Sequence, residues 1–369
     1  MANKALVACA QAPSARRAFA ATVPRRARTL PASCVALLAL AAMPLAVHAA
    51  APLETTDVTV YSSLDIQAPV QLITARKKGF FKQVGLNVTI KYLQSATDIV
   101  PGMVGGSIVL AHGGLANPIL VADRGFSATV VSLVADYQRS SQLVVQKSVA
   151  SLKPTDLAGK TMVGPDVPVL RMFWQNWASA NKLDPKSVKW LSTAPSDAVV
   201  AFNAKQADIL LAWAPHTTNA IKAGGVLWQD GHDSYRSGNA VADPVYYNWG
   251  VVFASTDWMR KNPNTLQAYL AALYMAQAYM KCHESEVAAL VAAENHIDPA
   301  EGAALMKLNT YEMLMDPAFL GEAQKWSDFF EQFGLFKKHH AMRDVIDSGP
   351  LDRAVKSVTI PADWSTCKP

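Results

Sequence analysis

The chain alternates between two hydrophobic periodicities from residue 58 onward. Short runs rich in Val, Ile and Leu are typical of β-strands, whereas apolar residues three or four apart are typical of amphipathic helices. The pattern predicts strands at residues 58–61, 86–92, 107–111 and 128–134, and helices at 67–78 and 116–124. Ser95 is expected to cap a further short helix. Strand–helix–strand repetition predicts a parallel-rich sheet with helices on both faces.

A second, smaller α/β unit follows Lys153-Pro154. It contains predicted strands at residues 160–163, 188–191 and 209–212, and helices at 167–180, 196–205 and 217–223. Two further strand-like segments, 142–146 and 249–254, flank this unit. Beyond residue 257 the pattern is helical to about residue 336, with Pro263, Pro299 and Pro317 at expected helix starts.

Two α/β lobes joined by two strands predict a clam-shell. We expect one lobe to comprise residues 50–147 and 249–369, and the other to comprise residues 148–248. In such sheets ligands bind outside the carboxyl ends of the strands, and a cleft between two lobes permits hinge closure. The predicted product is an α/β protein whose binding cleft lies between its lobes.

Composition narrows the class of protein. Hydrophobic residues make up 51% of the 369 residues and charged residues 17%, which excludes a disordered chain. The net charge of +5 is concentrated at the start, because residues 1–49 hold six basic and no acidic side chains. The remainder carries 28 Lys and Arg against 29 Asp and Glu. No cationic surplus remains there for phosphate binding, so we expect no nucleic-acid partner.

Residues 1–49 have the pattern of a secretory signal peptide. Arg25, Arg26 and Arg28 precede an apolar run at 34–47, and small residues follow. The run has about 14 residues, whereas a transmembrane helix needs roughly 20. We therefore expect cleavage after Ala49, or alternatively after Ala50, and a periplasmic product.

Cleavage would leave two cysteines, Cys282 and Cys367. An even pair in an oxidising compartment is a candidate disulfide. Two buried thiols are the alternative.

Searches for catalytic motifs find none. The sequence lacks a nucleophile elbow, a zinc-protease motif, a phosphate loop and a dinucleotide fingerprint. No three-residue set has metal-ligand spacing, and His339-His340 beside two lysines indicates a solvated basic surface. We expect no cofactor and no metal, and we favour binding over catalysis.

Several segments resemble the periplasmic nitrate/taurine/alkanesulfonate-binding family of ABC importers. They are residues 76–88 (RKKGFFKQVGLNV), 106–117 (GSIVLAHGGLAN), 156–164 (DLAGKTMVG), 197–220 (DAVVAFNAKQADILLAWAPHTTNA) and 248–262 (NWGVVFASTDWMRKN). The resemblance implies a type II periplasmic-binding-protein fold. It also implies a monomeric protein that delivers a small molecule to an inner-membrane ABC permease.

Carried over position by position, the resemblance implies a ligand site formed by loops of both lobes. Its residues are Ser62, Ser63, Leu64, Asp65, His112, Gly113, Gly114, Leu115, Asp166, Val167, Pro168, Val169, Trp213, Pro215, His216 and Trp249. Trp213 to His216 match the family's W-x-P loop, and Trp249 matches an aromatic residue on the strand that returns to the first lobe.

The sequence departs from the sulfonate-binding members at two loops. Where those members carry hydroxyl residues, this chain has Leu115-Ala116 and the run 168–170 (PVL). The pocket should therefore be more apolar. Asp166 either caps the following helix or accepts a hydrogen bond from a ligand N–H group, and its charge should repel a simple anion. Helical spacing places Arg171 about 140° from Asp166, where it either reaches a bound acid or forms a surface or interlobe salt bridge. We expect a small organic anion or zwitterion, such as a sulfonate or an aromatic acid, rather than nitrate.

Two other functions stay open. One is a pyrimidine-precursor protein or enzyme of thiamin-biosynthesis type. Its cysteine-rich motif is missing, since no cysteine lies between Cys34 and Cys282. The other is an exported module that presents a ligand to a membrane receptor.

The first prediction concerns export. Protein purified from the native host should begin at or next to Ala50, because the basic and apolar stretches before it direct cleavage. Intact-mass and N-terminal peptide mass spectrometry measure this. Recovery of residues 30–48 in the extracted protein would contradict it.

Overall fold

A computed structural model gives the fold and describes residues 52–93, 98–365 and 367. The expected helix cap at Ser95 lies outside these residues. The strands are β1 Asp57–Ser63, β2 Asn87–Leu93, β3 Leu110–Gly114, β4 Ala128–Asp136, β5 Ser141–Val145, β6 Thr161–Gly164, β7 Lys189–Ser192, β8 Ile209–Trp213, β9 Val226–Asp230, β10 Asp233–Ser234, β11 Val241–Ala242 and β12 Trp249–Ser255.

Helices cover both sheets. They are α1 Val70–Lys77, α2 Phe80–Gln83, α3 Ile99–Val104, α4 Ala116–Asp123, α5 Pro168–Ala180, α6 Pro195–Asn203, α7 His216–Lys222, α8 Thr256–Lys261, α9 Pro263–Cys282, α10 Glu284–Glu294, α11 Pro299–Met306, α12 Pro317–Gln332, α13 Met342–Val345, α14 Gly349–Ser357 and α15 Ala362–Ser365. Within the described residues, no helix is both long and apolar enough to cross a membrane.

The strands form two mixed sheets. The first has the order β2-β1-β3-β12-β4, and the second has the order β11-β10-β9-β5-β8-β6-β7. In the first sheet β1 is parallel to both β2 and β3. In the second sheet β6 is parallel to both β7 and β8. These parallel strands place the loops that follow them at one edge of each sheet.

Two short connections, not strands, link the two sheets. The sequence predicted that the strands at 142–146 and 249–254 would join the lobes. Strand β5 pairs with β8 and β9, so it lies wholly in the second sheet. Strand β12 pairs with β3 and β4, so it lies wholly in the first. The first crossing is therefore the turn at residues 137–140, earlier than the expected boundary at 147. The return crossing lies at residues 243–248. Each strand satisfies its backbone groups within one sheet, which explains the difference.

Two predicted boundaries shift for local reasons. The first helix begins at Val70 rather than near residue 67, because Asp65 accepts the N–H groups of Gln67 and Ala68 in a preceding turn. The strand expected at 107–111 begins at Leu110. The N–H groups of Ser107 and Ile108 instead donate to the Gly102 carbonyl and continue the end of α3.

The prolines at expected helix starts are confirmed. Pro263, Pro299 and Pro317 each occupy the first turn of a helix, where a missing N–H costs nothing. Asp298 and Asp316 cap the two later helices through their carboxylates.

The expected disulfide is confirmed. Cys282 at the end of α9 is bonded to Cys367, with 5.3 Å between their Cα atoms. Trp364 beside this bond packs edge-on against Tyr279 of α9, with ring centroids 5.0 Å apart. The covalent and aromatic contacts together hold the C-terminal segment on α9.

The second prediction concerns this bond. Replacing both cysteines, Cys282→Ala with Cys367→Ala, should lower the free energy of unfolding by on the order of 4 kcal/mol, because the bond closes a loop with a sequence separation of 85. Urea unfolding measures the loss. Reduced wild-type protein is the control and should match the variant. Equal stability of the oxidised wild type and the variant would show that the bond does not restrict the unfolded chain.

Candidate functional site

The first half of the site lies at the carboxyl edge of the first sheet. Strands β1 and β3 are parallel neighbours, so the loops after Ser63 and Gly114 emerge side by side. Leu64 is exposed, and Ser63, Asp65 and Gly114 are half-buried. These are the predicted residues of this lobe that are accessible to solvent.

Asp65 is the charged group of this edge. Its Oδ1 accepts the N–H groups of Gln67 and Ala68, at 2.9 and 3.2 Å, and its Oδ2 accepts the Ser63 hydroxyl at 2.5 Å. Burial raises the pKa of the Asp65 carboxyl above its ordinary value, and the three donors oppose that rise. Asp65 thus places a fixed hydrogen-bond acceptor at the cleft.

Three side chains from the C-terminal helical region donate hydrogen bonds to backbone carbonyls of the loop that carries Asp65. Asn295 donates to the Asp65 carbonyl at 3.3 Å. Asn309 and Tyr311 both donate to the Ile66 carbonyl, at 3.1 and 2.6 Å. Periodicity could not identify them, because their partners lie 230 to 245 residues earlier in the chain.

The second half of the site lies at the carboxyl edge of the second sheet. Val167, Pro168 and Val169 begin α5 and are half-buried, as are Trp213 and His216, while Pro215 is exposed. Burial lowers the pKa of His216, which favours its neutral form at pH 7. Gly164 precedes this edge, and a Cβ there would lie 1.9 Å from the Leu211 carbonyl oxygen. Only glycine therefore allows β6 and β8 to approach this closely.

Asp166 does not cap α5, and Arg171 forms a salt bridge, which was one of its two expected roles. Asp166 is exposed, and Arg171 pairs with it through two bonds of 2.5 and 2.6 Å. The helix cap position is Val167, which has no capping side chain. Asp166 lies before the helix, so helical spacing does not separate it from Arg171. The pair neutralises both charges at this edge.

Five predicted residues are buried in this structure. Ser62, His112, Gly113, Leu115 and Trp249 are buried. The Trp249 ring stacks on Tyr247 at 5.3 Å and meets Phe319 of α12 edge-on at 5.2 Å. Its carbonyl accepts the Leu115 N–H at 3.1 Å. Trp249 therefore packs in the core beneath the site.

His112 is enclosed between α1 and α9. Its Nδ1 lies 3.1 Å from the Ala68 carbonyl and its Nε2 lies 2.7 Å from the Tyr269 hydroxyl. In the neutral ring Nδ1–H donates to the carbonyl, and Nε2 accepts from the tyrosine. Burial lowers the pKa of His112 to about 4. Its role is structural, because both ring nitrogens are occupied.

The two edges meet beside the first crossing. Ala214, within the W-x-P loop, donates its N–H to the Ser140 carbonyl at 2.9 Å. Its side chain belongs to the same buried apolar cluster as Ile66 and Val134 of the first lobe. Farther out, Lys222 of α7 lies 3.7 Å from Glu301 of α11. The lobes are thus in contact in this conformation.

One group of metal-ligating atoms occurs among the described residues. Asp328, Glu331 and His339 lie together on the surface, and all three are exposed. His340 differs from the expected solvated position, because its side chain is 10% exposed and faces Asp123. Neither His339 nor His340 belongs to the predicted cleft loops.

Comparison with known proteins supports the architecture. A family model described as NMT1/THI5 like matches residues 69–287. No curated protein matches the chain. The periplasmic aliphatic sulphonate binding protein SsuA from Escherichia coli has a similar structure, with a TM-score of 0.67 and 16% identity, over 79% of this chain and 92% of that chain.

Two further solved structures share the fold. The periplasmic nitrate-binding protein NrtA from Synechocystis PCC 6803 has a TM-score of 0.64 and 14% identity, over 85% of this chain and 91% of that chain. The desulfurization enzyme DSZB has a TM-score of 0.56 and 15% identity, over 81% of this chain and 99% of that chain. The type II periplasmic-binding-protein fold expected from the sequence is therefore confirmed.

The third prediction tests the structural role of His112. In wild-type protein the free energy of unfolding should fall by about 2 kcal/mol between pH 7.5 and pH 5 through this residue, because the unfolded chain binds a proton that the buried ring excludes. His112→Gln retains one donor and one acceptor but does not titrate. Urea unfolding at both pH values should show a smaller fall for the variant. Identical falls for both proteins would contradict this assignment.

Proposed function

The chain belongs to the NMT1/THI5-like family, and from that premise we propose that it is the periplasmic solute-binding component of an ABC importer. In this proposal it captures a small organic molecule between its lobes and delivers it, as a monomer, to an inner-membrane permease. The observation that carries the proposal is the meeting of two strand-end edges beside the crossing, with half-buried groups on each.

Binding without catalysis is the function that we favour, although an enzyme shares the fold. Both described cysteines are joined to each other, so neither supplies a thiolate nucleophile. His112 is held between two fixed partners, which occupy both ring nitrogens. The accessible groups of the two edges offer hydrogen bonds and apolar contact.

The charges of the two edges support a ligand with an N–H or ammonium group. Asp65 supplies an acceptor in the first lobe, whereas Asp166 and Arg171 cancel each other in the second. A simple anion would meet the Asp65 carboxylate without a free cation from that pair. We therefore propose an organic zwitterion or an acid with a polar or aromatic part. Its N–H group would face Asp65, and its acid group would face the start of α5.

Asp65 is expected to be the carboxylate that matters for binding, not Asp166. A thermal-shift screen of taurine, alkanesulfonates, aromatic amino acids, pyrimidines and nitrate identifies the strongest binder. Asp65→Asn should weaken that binder by about 1–3 kcal/mol, because it removes the charge of a half-buried acceptor. Calorimetry measures the loss, and Asp166→Asn is the matched control. Its carboxylate is exposed and already paired, so affinity should change little.

The pH dependence gives a second measurement on the same variant. Affinity for an ammonium ligand should fall as the pH drops through the Asp65 pKa, because protonation removes the negative charge. Burial raises that pKa, so the fall begins at a higher pH than for an ordinary carboxyl. Asp65→Asn should show no such fall. Tight nitrate binding, or equal losses in the Asp65 and Asp166 variants, would refute the proposed ligand class.

A further inference from the structure

The segment between α11 and α12 runs beside the first crossing and both candidate loops. Thr310 and Asp136 exchange two backbone hydrogen bonds of 2.8 Å in an isolated antiparallel bridge. Gln277 of α9 donates to the Tyr311 carbonyl at 2.7 Å. These contacts fix residues 309–311 to the first lobe, at the place where the chain leaves it.

Asn309 connects this segment to the loop that carries Asp65 and to the turn at residues 137–140. Its Nδ2 lies 3.1 Å from the Ile66 carbonyl, in the loop that carries Asp65, and 3.1 Å from the Leu305 carbonyl and the Tyr311 hydroxyl. Its Oδ1 accepts the Ser140 hydroxyl at 2.8 Å. One side chain thus links a candidate ligand loop to the crossing.

Ser140 extends the connection into the second lobe. It is buried, it ends the crossing turn, and β5 of the second sheet begins at the next residue. Its carbonyl accepts the N–H of Ala214 in the W-x-P loop at 2.9 Å. Hydrogen bonds therefore run from Ile66 through Asn309 and Ser140 to Ala214, and they join the two edges of the cleft.

We propose that Asn309 is a positioning residue whose bond to Ser140 acts as a latch for the closed lobes. Asn309 is anchored on the first lobe, whereas Ser140 is continuous with a strand of the second lobe. In this proposal the lobes rotate about residues 137–139, so Ser140 moves with β5 relative to Asn309 and the bond breaks. The bond therefore favours the closed arrangement. The inference rests on the proposed capture function, because closure retains a ligand.

The test measures closure directly and needs no solute. Ala223 and Ala300 are exposed and adjoin Lys222 and Glu301, which lie 3.7 Å apart across the lobes. Spin labels on Ala223→Cys and Ala300→Cys report short distances when the lobes are closed. Cys282 and Cys367 remain in their disulfide and stay unlabelled. Pulsed electron paramagnetic resonance then gives the ratio of closed to open molecules.

Asn309→Ala should lower the closed-to-open ratio about 5- to 10-fold, the effect expected for one net hydrogen bond. Ser140→Ala should lower it equally. The double variant should show no further loss, since both changes remove the same bond. Asn181→Ala is the matched control. Asn181 also donates to a carbonyl four residues earlier, at 2.9 Å, but it lies within the second lobe. The closed-to-open ratio of Asn181→Ala should equal that of the wild type.

Three results would overturn the latch. They are a wild-type distribution without a short-distance population, unchanged ratios in both single variants, and additive losses in the double variant. Urea midpoints of every variant separate a lost latch from lost stability, and Ser140→Ala tests the same bond if Asn309→Ala does not fold. Because no solute is added, the result is independent of the ligand screen. A failed latch and a failed importer assignment are therefore distinguishable.

Discussion

Strand β12 completes the first sheet, and the two-lobed arrangement depends on its pairing. It lies between β3 and β4, although more than 110 residues separate Asp136 from Trp249 along the chain. Its first residue accepts two hydrogen bonds through the Trp249 carbonyl, from the Leu115 N–H and the Tyr137 hydroxyl. Because β4 and β12 are neighbours, the chain segment between them leaves the first sheet beside the point at which it returns. The second lobe is thus an insertion with both connections side by side, which brings the loop edges together.

Burial decides which acidic side chain of the two edges has a strong electrostatic effect. Asp65 and Asp166 occupy similar positions, each in a loop after a parallel strand. Asp65 is half-buried, and burial raises its pKa, while three donors from its own loop oppose that rise. Asp166 is exposed and paired with Arg171, so water screens its charge. Sequence position alone could not distinguish them, because the distinction comes from what packs around each loop.

Local signals predicted the elements of the fold well. The strands near residues 209–212 and 128–134, and the helix at 167–180, agree with β8, β4 and α5 within about two residues. Hydrophobic periodicity and prolines determine such elements through short-range contacts. The site residues were harder to predict. His112 follows the strand predicted at 107–111, as a ligand residue would, yet it lies within β3 and contacts Tyr269, which is 157 residues away in the chain. Asn309 gains its role from Ile66 and Ser140, and no local pattern indicates either contact.

Helix α9 organises these long-range contacts. Its Tyr269 holds His112, and its Gln277 bonds both Gln71 of α1 and the carbonyl of Tyr311. Its last residue, Cys282, carries the disulfide. Five residues separate Gln277 from Cys282, a rise of about 7.5 Å along the axis, whereas Tyr269 lies about 20 Å from the bond. The disulfide therefore stabilises the end of α9 that supports the segment at 309–311, while the His112 contact rests on the distant half of the helix. The candidate ligand loop at residues 64–68 is in this way positioned by a helix that begins some 200 residues later.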